Sequence, residues 1–280
     1  TSLFLTGKAG TGKTTFLRYL KEHTEKRLVV LAPTGIAAIN ARGVTIHSFF
    51  QLPFSPFIPG MATDIHSQFR FSKEKLKIIR GADLIVIDEI SMVRADLLDA
   101  VDDALKRFRR NSKPFGGIQL LLIGDLQQLA PVVKDNEWIM LSQYYASPYF
   151  FDSIALKLTQ YVTIELKKVF RQDDERFINI LNKIRNNTTD TYTLAELNKR
   201  YIPGFKPSPD DGYIQLTTHN ALAQSINEHE LSALDSETFH YEAKTEGNYP
   251  EYSSPTDKSL TLKLGAQVMF VKNDTSGRHA

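Results

Sequence analysis

The stretch Gly7-Lys8-Ala9-Gly10-Thr11-Gly12-Lys13-Thr14 fits G-x-x-x-x-G-K-[ST] at every fixed position. Its setting constrains the fold more than any other feature of the chain. Leu3-Phe4-Leu5-Thr6 before it reads as a short buried strand, and Thr15-Phe16-Leu17-Arg18-Tyr19-Leu20 after it reads as the first turns of a helix. Strand, glycine loop and helix in that order make a polyphosphate cradle, because glycines let backbone N–H groups turn inward and the helix start adds partial positive charge. Gly10, Thr11 and Gly12 supply the loop, Lys13 can reach the β- and γ-phosphates, and Thr14 and Thr15 open the helix, with the Thr14 hydroxyl placed to bind Mg²⁺. The expected ligand is therefore ATP with magnesium.

Further apolar runs repeat the strand signal at Leu28–Ala32, Asp83–Asp88 and Ile118–Gly124. They lack alternation, as parallel strands covered on both faces do. With helical segments between them they imply an α/β lobe of P-loop NTPase (RecA-like) type over residues 1–160. From Tyr161 the pattern restarts, with strands expected at Val162–Leu166, Tyr213–Leu216, around Phe239 and over Leu260–Val271, and helices at Glu175–Arg185 and Ala221–Leu231. Residues 161–280 therefore read as a second lobe of the same kind, incomplete in this chain. The start of its later helix is expected to be capped by Thr218 or Asn220.

Residues 44–80 are too long for a simple crossover and form a small insertion in the first lobe. Phe49, Phe50, Phe54, Phe57, Phe69 and Phe71 lie there among Pro53, Pro56, Pro59 and Gly60. Two readings stay open: a self-packed excursion with its own core, or a platform offering rings to unpaired bases, where stacking is worth about 1–3 kcal/mol per base. Ser91–Arg110 reads as an amphipathic helix with aspartates leading and basic residues ending it, the order the macrodipole favours.

The acidic chemistry sits at strand ends. Asp88 closes the third apolar run, where a second acidic motif would hold Mg²⁺ through water, and Glu89 can polarise an attacking water. Gly124-Asp125-Leu126-Gln127-Gln128 follows the next run, and a glutamine there can bond a γ-phosphate or its water. Arg171, at the head of the expected second lobe, could act as an arginine finger across the cleft.

Composition narrows the partners. Zero cysteines exclude disulfides and thiolate metal sites. No apolar run approaches the roughly 20 residues a membrane helix needs. A net charge of +2 means that a nucleic acid would be gripped through a local surface, since the overall field is weak.

Taken together, the pieces resemble the Pif-one (petite integration frequency) helicases of the Pif/RecD-like branch of helicase superfamily one. They are GKAGTGKT from Gly7, APTGIAA from Ala32, TIHSF from Thr45, IDEISM from Ile87, GDLQQLAPV from Gly124, VFRQ from Val169, TTHNALAQSIN from Thr217 and GAQVMFVKN from Gly265. The resemblance covers essentially the whole chain. It implies an ATP-driven helicase moving 5′ to 3′ on single-stranded DNA, acting on forks and G-quadruplexes in DNA repair, recombination or telomere maintenance.

It also implies roles: Lys13 and Thr14 for phosphate and Mg²⁺, Asp88 for Mg²⁺, Glu89 for the water, and Gln128 and Arg171 for the γ-phosphate from the two lobes. Thr34, Gly35, His47 and Phe49, with Thr218 and His219, fall in strand-contacting motifs. A monomer is expected, cytoplasmic in a bacterium and nuclear or mitochondrial in a eukaryote. Ala130 stands where the family usually has a second proline. The family's late SH-x-x-QG and A-x-SR motifs do not occur in these 280 residues, so the chain is expected to be part of a longer one. An ATP-gated DNA-binding module, or a P-loop ATPase that is no helicase, are the alternative readings.

Overall fold

The computed structural model describes residues 1–60, 71–208, 211–244 and 256–269. Phe69, Pro209 and the end of the expected Leu260–Val271 strand lie outside them. The chain divides into two compact units, Thr1–Leu181 and Asn182–Ala280.

The first unit is built on one parallel sheet. In chain order its elements are β1 (Ser2–Gly7), α1 (Lys13–His23), β2 (Leu28–Ala32), α2 (Gly35–Asn40), β3 (Val44–Thr45), α3 (Ile46–Phe50), α4 (Lys73–Gly81), β4 (Leu84–Ile87), α5 (Ala95–Arg109), β5 (Gln119–Gly124), α6 (Asp135–Leu141), α7 (Ile154–Lys157) and β6 (Tyr161–Leu166). The sheet order is β3-β2-β4-β5-β1-β6, every neighbouring pair parallel.

The unbroken apolar runs are explained by burial on both faces. Phe4, Leu31, Ile85, Ile87, Leu120 and Leu122 point into the cluster formed with Ile46, Phe50, Ile79, Leu98, Val101 and Leu105 of α3, α4 and α5. Their neighbours Leu5, Val30, Leu84, Val86, Leu121 and Ile123 pack on the opposite side with Leu17 of α1. The register pairs Thr6 with Gly124 and Leu31 with Ile87, so the carboxyl ends of β1, β2, β4 and β5 share one edge. Ligands bind at that edge in open α/β sheets.

Tyr161–Leu166 does not open a second lobe. As β6 it pairs residue by residue with β1, from Ser2↔Tyr161 to Gly7↔Leu166, so the first sheet extends past the expected boundary at residue 160. Hydrophobic patterning identifies a strand but is silent about which sheet receives it.

Helix α5 begins at Ala95 rather than Ser91, because Ile90–Met92 forms a separate 3-10 turn. Its aspartates do more than complement a dipole. The Asp99 carboxylate accepts from Tyr145 Oη, Ser153 Oγ and the Ile154 and Ala155 N–H groups. Asp102 accepts from Phe115 N–H and pairs with Lys106. At the basic end, Arg109 donates to the Ile79, Arg80, Ala82 and Gly116 carbonyls, tying α4 to α5. These are packing roles, and they leave Arg109 committed to backbone.

The rings of the 44–80 insertion divide. Phe49 and Phe50 belong to the main core, and Phe57 and Phe71 pack partly buried against it, whereas Phe54 is exposed. Apart from Phe54, the described rings of the insertion therefore join the lobe's core.

Helix α8 (Glu175–Arg185) spans the division between the units. The second unit holds α9 (Thr191–Asn198), α10 (Asn220–Ala233) and an antiparallel pair, β7 (Thr238–Glu242) with β8 (Ser259–Lys263). Asp190 caps α9 through the Thr193 N–H. Lys263 Nζ donates to the Ser232 and Leu234 carbonyls, closing the end of α10. The strand expected at Tyr213–Leu216 is absent: these residues are exposed and irregular, since no described segment supplies a partner for their backbone groups. The residue at the cap of α10 is His219, with no side-chain cap bond, rather than Thr218 or Asn220.

Candidate functional site

The loop after β1 wraps on itself. Thr11 is buried and its hydroxyl donates to the Lys8 carbonyl at 2.8 Å. Lys13 Nζ donates to the Gly7 carbonyl at 2.6 Å and the Lys8 carbonyl at 3.0 Å, so the ammonium lies inside the loop's curve. Gly12 caps α1 in the left-handed region at φ 95°, and Thr14 and Thr15 are exposed in the first helical turn. Gly10, at φ +78°, is required by a neighbour as well as by its backbone. A Cβ there would lie 2.6 Å from Arg171 Cβ, and the Gly10 carbonyl accepts the Phe170 N–H at 2.8 Å. Arg171 is thus seated beside the loop, within the first unit. The expectation that it reaches over from a second lobe is corrected, because the chain after β6 runs directly past the loop that follows β1.

The acidic pair stands at the end of β4. Asp88 is buried, and its Oδ1 accepts the Glu89 N–H at 3.0 Å. Glu89 takes a left-handed backbone, φ 53°, an arrangement that costs a non-glycine residue about 1–2 kcal/mol. Burial pushes the Asp88 carboxyl above its ordinary range, opposed by the Glu89 N–H and the Lys13 charge. Burial also raises Glu89, helped by the Asp88 and Asp125 charges and opposed by Lys13. Four charged groups from three strand ends thus act on one another. A carboxylate of raised basicity is suited to taking a proton from water.

Asp125, at the end of β5, is buried and arranges the turn that follows. Its Oδ2 accepts the Gln128 side-chain amide at 2.9 Å, and its Oδ1 accepts the Gln127 N–H at 3.2 Å. Gly124 lets this turn approach β4, since a Cβ there would stand 2.8 Å from Ile90 Cγ2 and 3.1 Å from the Ser91 N. The sequence placed Asp125 in a motif but gave it no task. Its signal is an aspartate two residues before a backbone N–H it can bond.

Among the described residues no cluster of three His, Asp or Glu could hold a metal unaided. Thr14 and the buried Asp88 nevertheless fit magnesium, which keeps several waters and takes its remaining ligands from phosphates.

A second group lies along the ends of β2 and β3. The Thr34 hydroxyl accepts the Ala37 N–H at 3.2 Å, capping α2, which opens at Gly35. His47, in α3, stacks on Phe54 with ring centroids 4.6 Å apart and planes 23° apart. Burial, with the Arg94 charge beside it, pushes the His47 pKa down to about 4, so the ring is neutral. Thr34, His47 and Phe54 line a cavity of about 280 Å³ together with Arg94, Met92 and Leu97. Arg94 donates to both Asp96 oxygens and to Glu137 Oε2.

Phe49, which the resemblance places in a strand-contacting motif, is only 8% exposed and meets Phe50 edge-on at 4.9 Å. In a two-ring run on a short helix, the apolar core claims both rings. Among the described rings of the insertion, Phe54, 56% exposed, faces outward. No periodicity distinguishes it from the other phenylalanines, so the sequence could not single it out, nor Arg94. In the second unit, Thr218 and His219 are exposed, and Thr218 Oγ1 lies 2.9 Å from His219 Nδ1.

The chain matches the family profile described as PIF1-like helicase over residues 1–194. It is 36% identical over 290 residues to the ATP-dependent DNA helicase PIF1 of Saccharomyces cerevisiae (strain YJM789), covering 97% of this chain and 32% of that protein. A Bacteroides Pif1 helicase solved with ADP-AlF3 and single-stranded DNA superimposes with a TM-score of 0.86 at 41% identity, over 99% of this chain and 63% of that one. A structure addressing DNA unwinding at forked double-stranded DNA by two coordinating Pif1 helicases gives 0.87 at 41% identity, over 99% and 65%. The chain thus spans about a third of the yeast relative and somewhat under two thirds of the solved ones. With the phosphate loop, the acidic pair and the Asp125–Gln128 turn gathered on one sheet edge, and an α/β architecture shared with solved Pif1 structures, the chain belongs to the PIF1-like helicase family.

Proposed function

We propose that this chain forms the motor of an ATP-dependent DNA helicase that moves 5′ to 3′ on single-stranded DNA and opens forked duplexes and G-quadruplexes. The observation that carries the reading is the placement of Lys13, Asp88, Glu89 and Asp125 just past the carboxyl ends of the parallel strands β1, β4 and β5, where the other three charges all act on Glu89. A Pif1 helicase solved with ADP-AlF3 and single-stranded DNA supports the nucleotide and the single strand, and one addressing unwinding at forked double-stranded DNA supports the fork.

In this reading the loop N–H groups and Lys13 hold the polyphosphate, while Thr14 and Asp88 would hold magnesium. When bound, the ion neutralises charge on the β- and γ-phosphate oxygens. Glu89 takes the proton from the attacking water. Gln128, held by Asp125, aligns that water or the γ-phosphate, and Arg171 beside Gly10 offsets charge in the transition state, a role worth about 10³–10⁵ in rate where it occurs. Thr34, Gly35 and His47 form the strand-facing surface of the first unit, with Thr218 and His219 that of the second. In this reading each cycle of ATP binding and hydrolysis advances the strand. The cost is within reach: opening a base-pair step takes about 1.4 kcal/mol, the scale of ordinary coupling between sites.

Unwinding assays on duplexes with a 5′ or a 3′ single-stranded tail test the polarity. Opening of the 5′-tailed substrate alone is expected. Opening of the 3′-tailed substrate alone, or of neither, contradicts the reading.

A further inference from the structure

The cavity between α3, the 52–57 segment and the start of α5 has walls that define an occupant. At about 280 Å³ it falls just below the range of pockets that enclose drug-sized ligands, and it suits one planar ring system better than a whole nucleotide. Leu52, Pro53, Met92, Leu97 and Ala100 make it largely apolar. Its mouth carries an aromatic shelf, Phe54 stacked on the uncharged His47 ring.

Charge at its polar end argues against a phosphate. Arg94 is bracketed by Asp96 at 2.7 Å and Glu137 at 3.1 Å, so the three groups together carry one net negative charge. Yet Arg94 retains donor capacity. Its bonds to Asp96 and Glu137 use three of the five guanidinium N–H groups, leaving two. Spare N–H donors in a setting with no net positive charge match a neutral carbonyl oxygen.

We propose that this cavity receives one unstacked base of single-stranded DNA, its face on Phe54 and an exocyclic carbonyl directed at Arg94. The inference rests on the DNA-strand reading above and adds a base-reading element to it. Thymine, cytosine and guanine carry such a carbonyl, and adenine does not. The site therefore confers a mild preference against adenine at one register of an otherwise sequence-tolerant strand.

The test is a register scan. Oligothymidine strands carrying a single abasic site, or a single adenine, at successive positions are titrated against the intact protein and against Phe54→Ala, with thermal unfolding as the folding control. Phe54 is exposed, so its removal leaves the fold in place. The expected result is one register at which the abasic strand binds roughly tenfold more weakly, the size of a lost base–aromatic stack, with adenine intermediate there. That dip disappears in Phe54→Ala. A flat scan of a protein that binds the strand, or a dip that survives in Phe54→Ala, overturns the pocket and leaves the helicase reading standing. Failure of the parent protein to bind any single strand overturns the helicase reading itself.

Discussion

Gln128 is held by Asp125: the glutamine amide donates to the buried carboxylate at 2.9 Å, three residues away on the same turn. The glutamine is exposed while its anchor is not, so a mobile-looking side chain is tethered from beneath. The same carboxylate raises Glu89, joining the turn after β5 to the acidic pair after β4. Asp125→Ala removes the acceptor that Gln128 uses and should lower kcat for ATP with little change in KM. Combined with Gln128→Ala, the two losses should be less than additive, because the second change removes a group already released. Steady-state ATPase of the single and double variants checks this, and full additivity contradicts it.

Glu89 carries a pH signature. The ordinary values for Asp88 and Glu89 are 3.8 and 4.5, and both carboxyls hold their protons more tightly in the folded chain. The folded state therefore binds more protons than the unfolded state above those values, and stability falls as pH rises through that window. At neutral pH the ionised pair is a burden on the nucleotide-free protein. Glu89→Gln should raise the thermal midpoint at pH 7, with the gain shrinking toward pH 4, while ATP turnover drops about 10²–10⁴-fold. A lower midpoint at pH 7 would show that Glu89 stabilises the fold instead.

Phe49→Ala should behave as a core deletion. The ring packs with Phe50 and with Lys75, whose ammonium lies 5.3 Å from its centroid. Removal should cost about 3–5 kcal/mol in urea unfolding, the usual range for a buried phenylalanine. Strand affinity of the folded fraction should stay unchanged. Weakened affinity at parental stability would return Phe49 to the strand surface.

Gly10→Ala tests the seat of Arg171. The added methyl meets Arg171 Cβ at a backbone angle that disfavours any side chain by about 1–2 kcal/mol. Hydrolysis should fall more than nucleotide affinity, because the residue displaced is the one assigned to the transition state. Equal losses in both would mean that the loop alone has been damaged.

Much of this was legible in the sequence, and the reasons differ by element. The phosphate loop and Asp88-Glu89 were readable because their chemistry fixes both residue types and local spacing. Unbroken apolar runs located β1, β2, β4 and β5, since burial on two faces leaves no polar positions. What escaped was set by long-range partners. β6 carries an ordinary strand pattern, and only pairing with β1 assigns it to the first sheet. Tyr213–Leu216 carries a strand pattern too, but pattern cannot supply a neighbour. Phe49 and Phe54 are chemically identical, and the distinction between core ring and surface ring arises from how α3 lies on the sheet. Thr34 caps α2 through a local bond, while Arg94 gains its place through Asp96 and Glu137, the latter far along the chain.

On the proposed function, the sheet-edge group is an ATP-hydrolysing centre driven by single-stranded DNA. The most direct measurement is the steady-state ATPase rate of the intact protein with and without an oligothymidine strand, alongside Lys13→Ala and Glu89→Gln. Strong stimulation by the strand is expected, with loss of nucleotide binding in Lys13→Ala and retained binding with turnover slowed by orders of magnitude in Glu89→Gln. A rate indifferent to DNA, or a Glu89→Gln protein turning over like its parent, would contradict it.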